Sequence, residues 1–162
     1  MKWSTGIRTA IAFLILVILH YTLRPVLGWR AEPDFLLIAL LLVAIRMRPG
    51  SAAVLGLIIG LVADSVALEG FGSAALAMSV VAFSASWLKA VFFADNMALN
   101  AFFFFAGKWL FNALYLVAER RLGGGELAMQ ILVWSSLSAA ITAIAGLVAL
   151  LILRPILRTS LT

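Results

Sequence analysis

"GLIIGLVADSVALEGFGSAAL", residues 56–76, decides what kind of molecule this is. The stretch is mostly glycine, alanine and branched aliphatics, yet it holds a carboxylate, Asp64. Ala52, Gly56, Gly60 and Asp64 recur every fourth residue and therefore share one helix face, which Ala53, Ala63 and Ala67 widen. Small side chains let two helix backbones approach closely, which is how helices gain van der Waals contact where lipid offers no hydrophobic drive. A carboxylate aimed at hydrocarbon costs about 2.5–3.5 kcal/mol or more, so Asp64 is expected on the packed face. Three roles stay open for it: hydrogen bonding to a neighbouring helix, contact with a ligand or partner, or proton relay. The Gly56–Gly60 face serves either packing inside the chain or a homodimer seam, and glycine spacing alone does not choose.

Outward from this stretch the whole chain is apolar. Of 162 residues, 65% are hydrophobic and 12% charged, with mean hydropathy +1.15, too little polar surface for a water-soluble domain. Uncharged runs of membrane-spanning length recur along it. Six helical spans are expected in one polytopic domain covering 1–162: about 7–23, 33–47, 51–68, 73–93, 97–118 and 127–153. Short connections with breakers separate them: Arg24-Pro25, Pro49-Gly50, Gly70-Phe71-Gly72, Asp95-Asn96 and Gly123-Gly124-Gly125, with Pro155 closing the last. Nothing alternates as a β-barrel strand would. Lipid offers no partner to unpaired backbone groups, so helices remain. The second span is short: fifteen residues rise about 22 Å against roughly 30 Å of hydrocarbon. It is counted as crossing, either shallow or with its ends buried by protein. The basic, apolar N-terminus lacks a small-residue cleavage site and is read as an uncleaved first span.

The charges orient the bundle. With a cytoplasmic N-terminus, that side receives Lys2, Arg8, Arg46, Arg48, Lys89, Arg154 and Arg158 against Asp95. The other side receives Arg24, Arg30, Arg120 and Arg121 among Glu32, Asp34, Glu69, Glu119 and Glu126. Both termini are thus expected to be cytoplasmic. Basic residues scattered in ones and twos fit this anchoring rather than a nucleic-acid surface. Trp3, Trp29, Trp87, Phe92 and Phe93 fall near the membrane borders as belt anchors.

The fifth span carries a polar stripe of Lys108, Asn112, Tyr115 and Glu119. A lysine near mid-membrane is a functional candidate by default, and its flexible stem lets the ammonium reach outward. An Asp64–Lys108 pair is therefore expected. Ser135, Ser138 and Thr142 share a face of the sixth span, suited to back-bonding or close packing. With Asp64, Lys108, Asn112 and Tyr115, the residues Trp134, Ser135 and Ser138 make up a candidate intramembrane polar cluster or pocket. His20 reads as an interfacial histidine. The chain has one histidine and no cysteine, and its acidic residues show no metal-ligand spacing, so no metal or cofactor is expected. Phosphate loops, GxGxxG, HExxH and GxSxG are all absent from the sequence, as is an internal repeat.

The order of pieces in "EPDFLLIALLLVAIRMRPGSAAVLGLIIGLVADSVALEGFGSAALAMSVVAF" resembles the rod shape-determining MreD family. A Pro33-led apolar segment ends in the basic turn of Arg46, Arg48 and Pro49. A helix with Gly56, Gly60 and Asp64 follows, then the Gly70–Gly72 turn and a small-residue-rich helix. Glu69 departs from the small or polar residues usual in that turn. The resemblance implies an all-α, six-helix membrane bundle similar to the substrate-binding S-components of energy-coupling-factor transporters. It implies a non-enzymatic scaffold of the bacterial inner membrane that binds MreC and is linked to MreB and to RodA with its transpeptidase partner. The alternative is a small-molecule- or lipid-binding membrane protein, such as a vitamin transporter's substrate-binding subunit. An intramembrane enzyme ranks behind both, because one Asp and one Lys at different depths do not make a catalytic set.

Overall fold

The second apolar segment forms a helix of only ten residues, and the rest of the chain encloses it. This helix, α2 (Phe35–Ala44), has the sequence FLLIALLLVA, with no polar side to show to water. At 1.5 Å per residue it rises about 15 Å, half of a bilayer's hydrocarbon. Leu36 to Leu42 and Ala44 are all buried, and Leu37, Ile38, Leu40 and Leu41 expose no surface. The short segment is therefore a central helix wrapped in protein.

The computed structural model describes the backbone of residues 3–27, 33–66, 71–88, 96–119 and 123–158, with side chains for 10–22, 33–66, 71–88, 96–119 and 123–152. Within these, five further helices surround α2: α1 (Trp3–Leu27), α3 (Pro49–Val66), α4 (Ser73–Trp87), α5 (Met97–Glu119) and α6. The last is continuous from Gly124 to Arg158, with a π-helical turn at Gln130–Trp134 between its α-helical parts Gly124–Met129 and Ser135–Arg158. All five touch α2. No strand occurs among the described residues.

Pro49 opens α3 at the one helix position where a missing N–H costs nothing, and Ala52 N–H donates to Arg48 O there. Two expected breakers act late. α1 continues past Pro25 to Leu27, and α6 continues past Pro155 to Arg158. Each proline lies within four residues of its helix end, where the lost hydrogen bond and ring clash disturb little of the helix.

α3 and α4 form the tightest pair. A Cβ on Gly56 would strike the Met78 carbonyl oxygen, and one on Gly60 would strike the Cα of Ala75. Because the obstacle is backbone, no side-chain adjustment relieves it. Alanines at 74, 75 and 82 complete the contact from α4. The α5–α6 pair uses the same device once: Phe104, fully buried, lies where a Cβ on Gly146 would sit, with its Cγ 2.7 Å away.

The distribution of polarity is inverted relative to a water-soluble protein. Ile11, Leu14 and Ile18 of α1, Val54, Leu57, Ile58 and Val62 of α3, and Ile144, Leu151 and Ile152 of α6 face outward. Asp34, Asp64, Lys108 and Asn100 are buried. Such a surface suits lipid and would aggregate in water. Helices Pro49–Val66, Met97–Glu119 and Gly124–Ile152 are long and apolar enough to cross a bilayer.

Most charges used to orient the chain have side chains outside the described ones: Lys2, Arg8, Arg24, Arg30, Glu32, Glu69, Lys89, Asp95, Arg120, Arg121, Arg154 and Arg158. Trp3, Trp29, Phe92 and Phe93 share that position, as do residues 67–70, which include Ala67 and the Gly70 part of the turn.

The α3–α4 contact makes a graded prediction. Gly56→Ala and Gly60→Ala should each lower the unfolding temperature in mild detergent, and the leucine variants should abolish the monodisperse bundle. Gly50→Ala, where nothing lies within 4 Å of the added carbon, should change little. Size-exclusion chromatography with thermal ramping reads all of them.

Candidate functional site

The polar residues that matter gather where α2 begins. Asp34 caps α2: its Oδ1 accepts from Leu37 N–H at 3.0 Å, satisfying one of the N–H groups a helix start leaves without an internal partner. Its other oxygen accepts from Lys108 Nζ of α5 at 2.7 Å. From α1, His20 Nδ1 lies 3.4 Å from Leu36 N, which donates to it, and 3.6 Å from Asp34 Oδ1. From α6, Thr142 Oγ1 accepts from Asp34 N–H at 3.3 Å. Four helices thus meet at one aspartate, and His20, Asp34, Lys108 and Thr142 are all buried. The ammonium also lies 4.7 Å from the Phe111 ring centroid, where the ring's negative face attracts a cation.

This geometry corrects the expected Asp64–Lys108 pair. Lys108 binds Asp34, and Asp64 is committed elsewhere. Asp64 reaches from the end of α3 to the start of α4 and accepts from Gly72 N–H (3.0 Å), Ala74 N–H (3.1 Å) and Ala75 N–H (3.0 Å). The N-cap position of α4 is Gly72, held at φ +98°, and glycine has no side chain with which to cap. Asp64 supplies the missing acceptor across the turn, and the positive end of the α4 dipole faces its charge. With three N–H donors and a helix terminus, this carboxylate is compensated without a lysine.

The remaining candidates divide. Ala52, Gly56, Gly60 and Asp64 are buried on the α3 face turned to α4, so that face is occupied within the chain. Asn112 and Tyr115 are half-buried, and the Tyr115 ring stacks on Phe111 at 5.8 Å. Ser135 and Ser138 are buried on α6 on the same side as Thr142, and Trp134 is half-buried in the π-helical turn. Asp64 lies apart from this set. Among the described residues no group of three His, Cys, Asp or Glu side chains is placed to hold a metal.

Asp34 and His20 escaped the sequence reading, which put Asp34 among external loop charges. A signal was present: Asp34 directly precedes a run with no polar side, so it is the natural N-cap of a helix that must be buried. A buried cap whose carboxylate receives only one backbone N–H calls for a cation, and Lys108 supplies it.

A second feature lies beside the cluster. α1 and α6 leave between them an apolar groove of about 330 Å³, lined by Ala12, Leu16 and Leu19 of α1, Ala145, Val148 and Ala149 of α6, and Phe35 of α2.

Removing one partner of a buried ion pair strands the other, so Asp34→Ala and Lys108→Ala should each destabilise the bundle by about 3–5 kcal/mol. The double variant Asp34→Asn/Lys108→Met, which keeps a cap and removes both charges, should recover most of the loss in a detergent unfolding assay. Asp64→Ala should cost about 2–4 kcal/mol through uncapped, buried N–H groups, and Asp64→Asn less.

No curated protein and no solved structure matches this chain. The family described as rod shape-determining protein MreD matches residues 2–161, essentially the full length. The buried charges, lipid-suited surface and three span-length helices agree with a membrane protein, and the chain belongs to the MreD family of rod shape-determining proteins.

Proposed function

We propose that this chain is a non-enzymatic, multi-pass scaffold of the bacterial inner membrane, with both termini cytoplasmic, that binds the single membrane span of MreC and so helps direct lateral peptidoglycan synthesis. Family membership supports the role in cell shape. The reading extends to MreB and to RodA with its transpeptidase partner as further members of the assembly, and to an S-component-like arrangement of the six helices. Two general features fit it: the helices pack without internal repeat, and the chain has almost no aqueous mass with which to recognise anything outside the bilayer.

The observation that carries the reading is the α1–α6 groove. The small-residue face of α3, the first candidate for a partner seam, is filled by α4 and is not free to receive a second helix. Between α1 and α6 an apolar groove is left unfilled, with Ala12, Ala145 and Ala149 among its lining, and alanine is the kind of residue that lets a further helix come close. An apolar span seated there would gain packing contact without exposing polar groups.

Obstructing the groove should block docking and leave the bundle intact. Ile15→Trp and Val148→Trp, at exposed positions lining the groove, are expected to lose MreC in co-purification from native membranes while keeping the wild-type unfolding temperature. Val54→Phe, on the outward face of α3, is expected to retain it. Undiminished MreC recovery with both groove variants would refute the assignment.

A further inference from the structure

The chain's single histidine stands buried at the junction of α1 with the start of α2. Its Nδ1 has two neighbours that make opposite demands. Leu36 N–H, 3.4 Å away, needs an acceptor there, and Asp34 Oδ1, 3.6 Å away, is itself an acceptor. A ring nitrogen that accepts a hydrogen bond carries no proton, so this arrangement is that of a neutral imidazole protonated on Nε2.

A proton taken from water onto Nδ1 reverses both relations. Leu36 N–H, in the first turn of α2, then loses its acceptor in a buried place, and the new N–H turns toward Asp34 Oδ1. That oxygen already accepts from Leu37 N–H at 3.0 Å, and its partner oxygen holds Lys108 at 2.7 Å. Among the described residues, a second positive charge thus joins the Lys108 ammonium beside the Asp34 carboxylate. Among the described residues the charged groups facing His20 are Asp34 of α2 and, through it, Lys108 of α5. α6 contributes the uncharged Thr142 hydroxyl, and on α1 the Tyr21 ring stands edge-on at 5.2 Å.

We propose that His20 is a proton switch on the seating of the first turn of α2. In its neutral form Leu36 and Leu37 are both capped, by His20 and Asp34 respectively. In its protonated form the Leu36 cap is exchanged for an ion pair with Asp34. The consequence reaches the surface through Phe35, which lies between Asp34 and Leu36 and lines the α1–α6 groove. Whatever occupies that groove, one of its lining residues is attached to the switch.

The test is direct because every histidine signal from the chain is His20. A chain without a histidine tag, labelled with 15N-histidine and 15N-leucine, would be titrated in micelles from about pH 8 to about pH 5 and followed by NMR. The expected result is an Nε2–H tautomer at the alkaline end. Acidification then converts it to the doubly protonated ring, together with a shift of the Leu36 amide and faster exchange of its proton. His20→Asn, whose side-chain oxygen replaces Nδ1 as an acceptor that cannot titrate, should abolish the Leu36 response. An Nδ1–H tautomer, a ring that stays neutral through the range, or a Leu36 amide indifferent to the ring's titration would each overturn the proposal. So would an undiminished Leu36 response in His20→Asn. The wild-type tautomer decides the matter even if that variant does not fold.

Discussion

A ten-residue helix with no polar face has to end inside the protein, and its start presents N–H groups that neither lipid nor buried side chains of the aliphatic kind can satisfy. An uncapped helix end in a low-dielectric setting costs several kcal/mol, so the start of α2 determines what its neighbours must supply. The carboxylate of Asp34 meets one N–H, His20 Nδ1 meets another, and the carboxylate's own burial then calls for Lys108. α1, α5 and α6 are drawn to one point because each brings one element of that solution.

Among the described residues two carboxylates, Asp34 and Asp64, cap helices, and they are balanced in different ways. Asp64 receives three backbone N–H groups at the start of α4, which disperse its charge. Asp34 receives one from the helix it caps and relies on an ammonium for balance. Lysine at mid-span is costly alone and acceptable when paired, so Lys108 is explained by Asp34 rather than by a ligand or a proton path. The small residues of α3 belong to the same economy of space. Gly56 and Gly60 bring α3 against the backbone of α4, which places Asp64 within reach of the N–H groups it caps.

These internal solutions leave the outward faces of the described helices largely apolar, which is what a bilayer requires. For a member of a shape-determining family, the result is a protein that turns apolar helix faces outward along its described spans. The α1–α6 groove is a recessed one, and the polar cluster borders it through Phe35.

Much of this was legible in the sequence because the signals were local. Apolar runs, breakers and residue order announced a helical membrane bundle of this family, and the four-residue spacing of Ala52, Gly56, Gly60 and Asp64 announced a packed face. Pairing was not legible. Asp64 and Asp34 are both single acids at the edge of apolar runs, and either could be matched to Lys108 by depth alone. The choice fell to how the helices are arranged about α2, since an ion pair forms only where two side chains are brought within about 3 Å of one another. By itself the sequence determined which segments are helices and which faces are small, since periodicity and side-chain size belong to each segment alone. Tertiary structure alone decided which acid holds the lysine, that the glycine face is closed, and that the lone histidine caps a helix, because each depends on contacts between residues far apart in the chain.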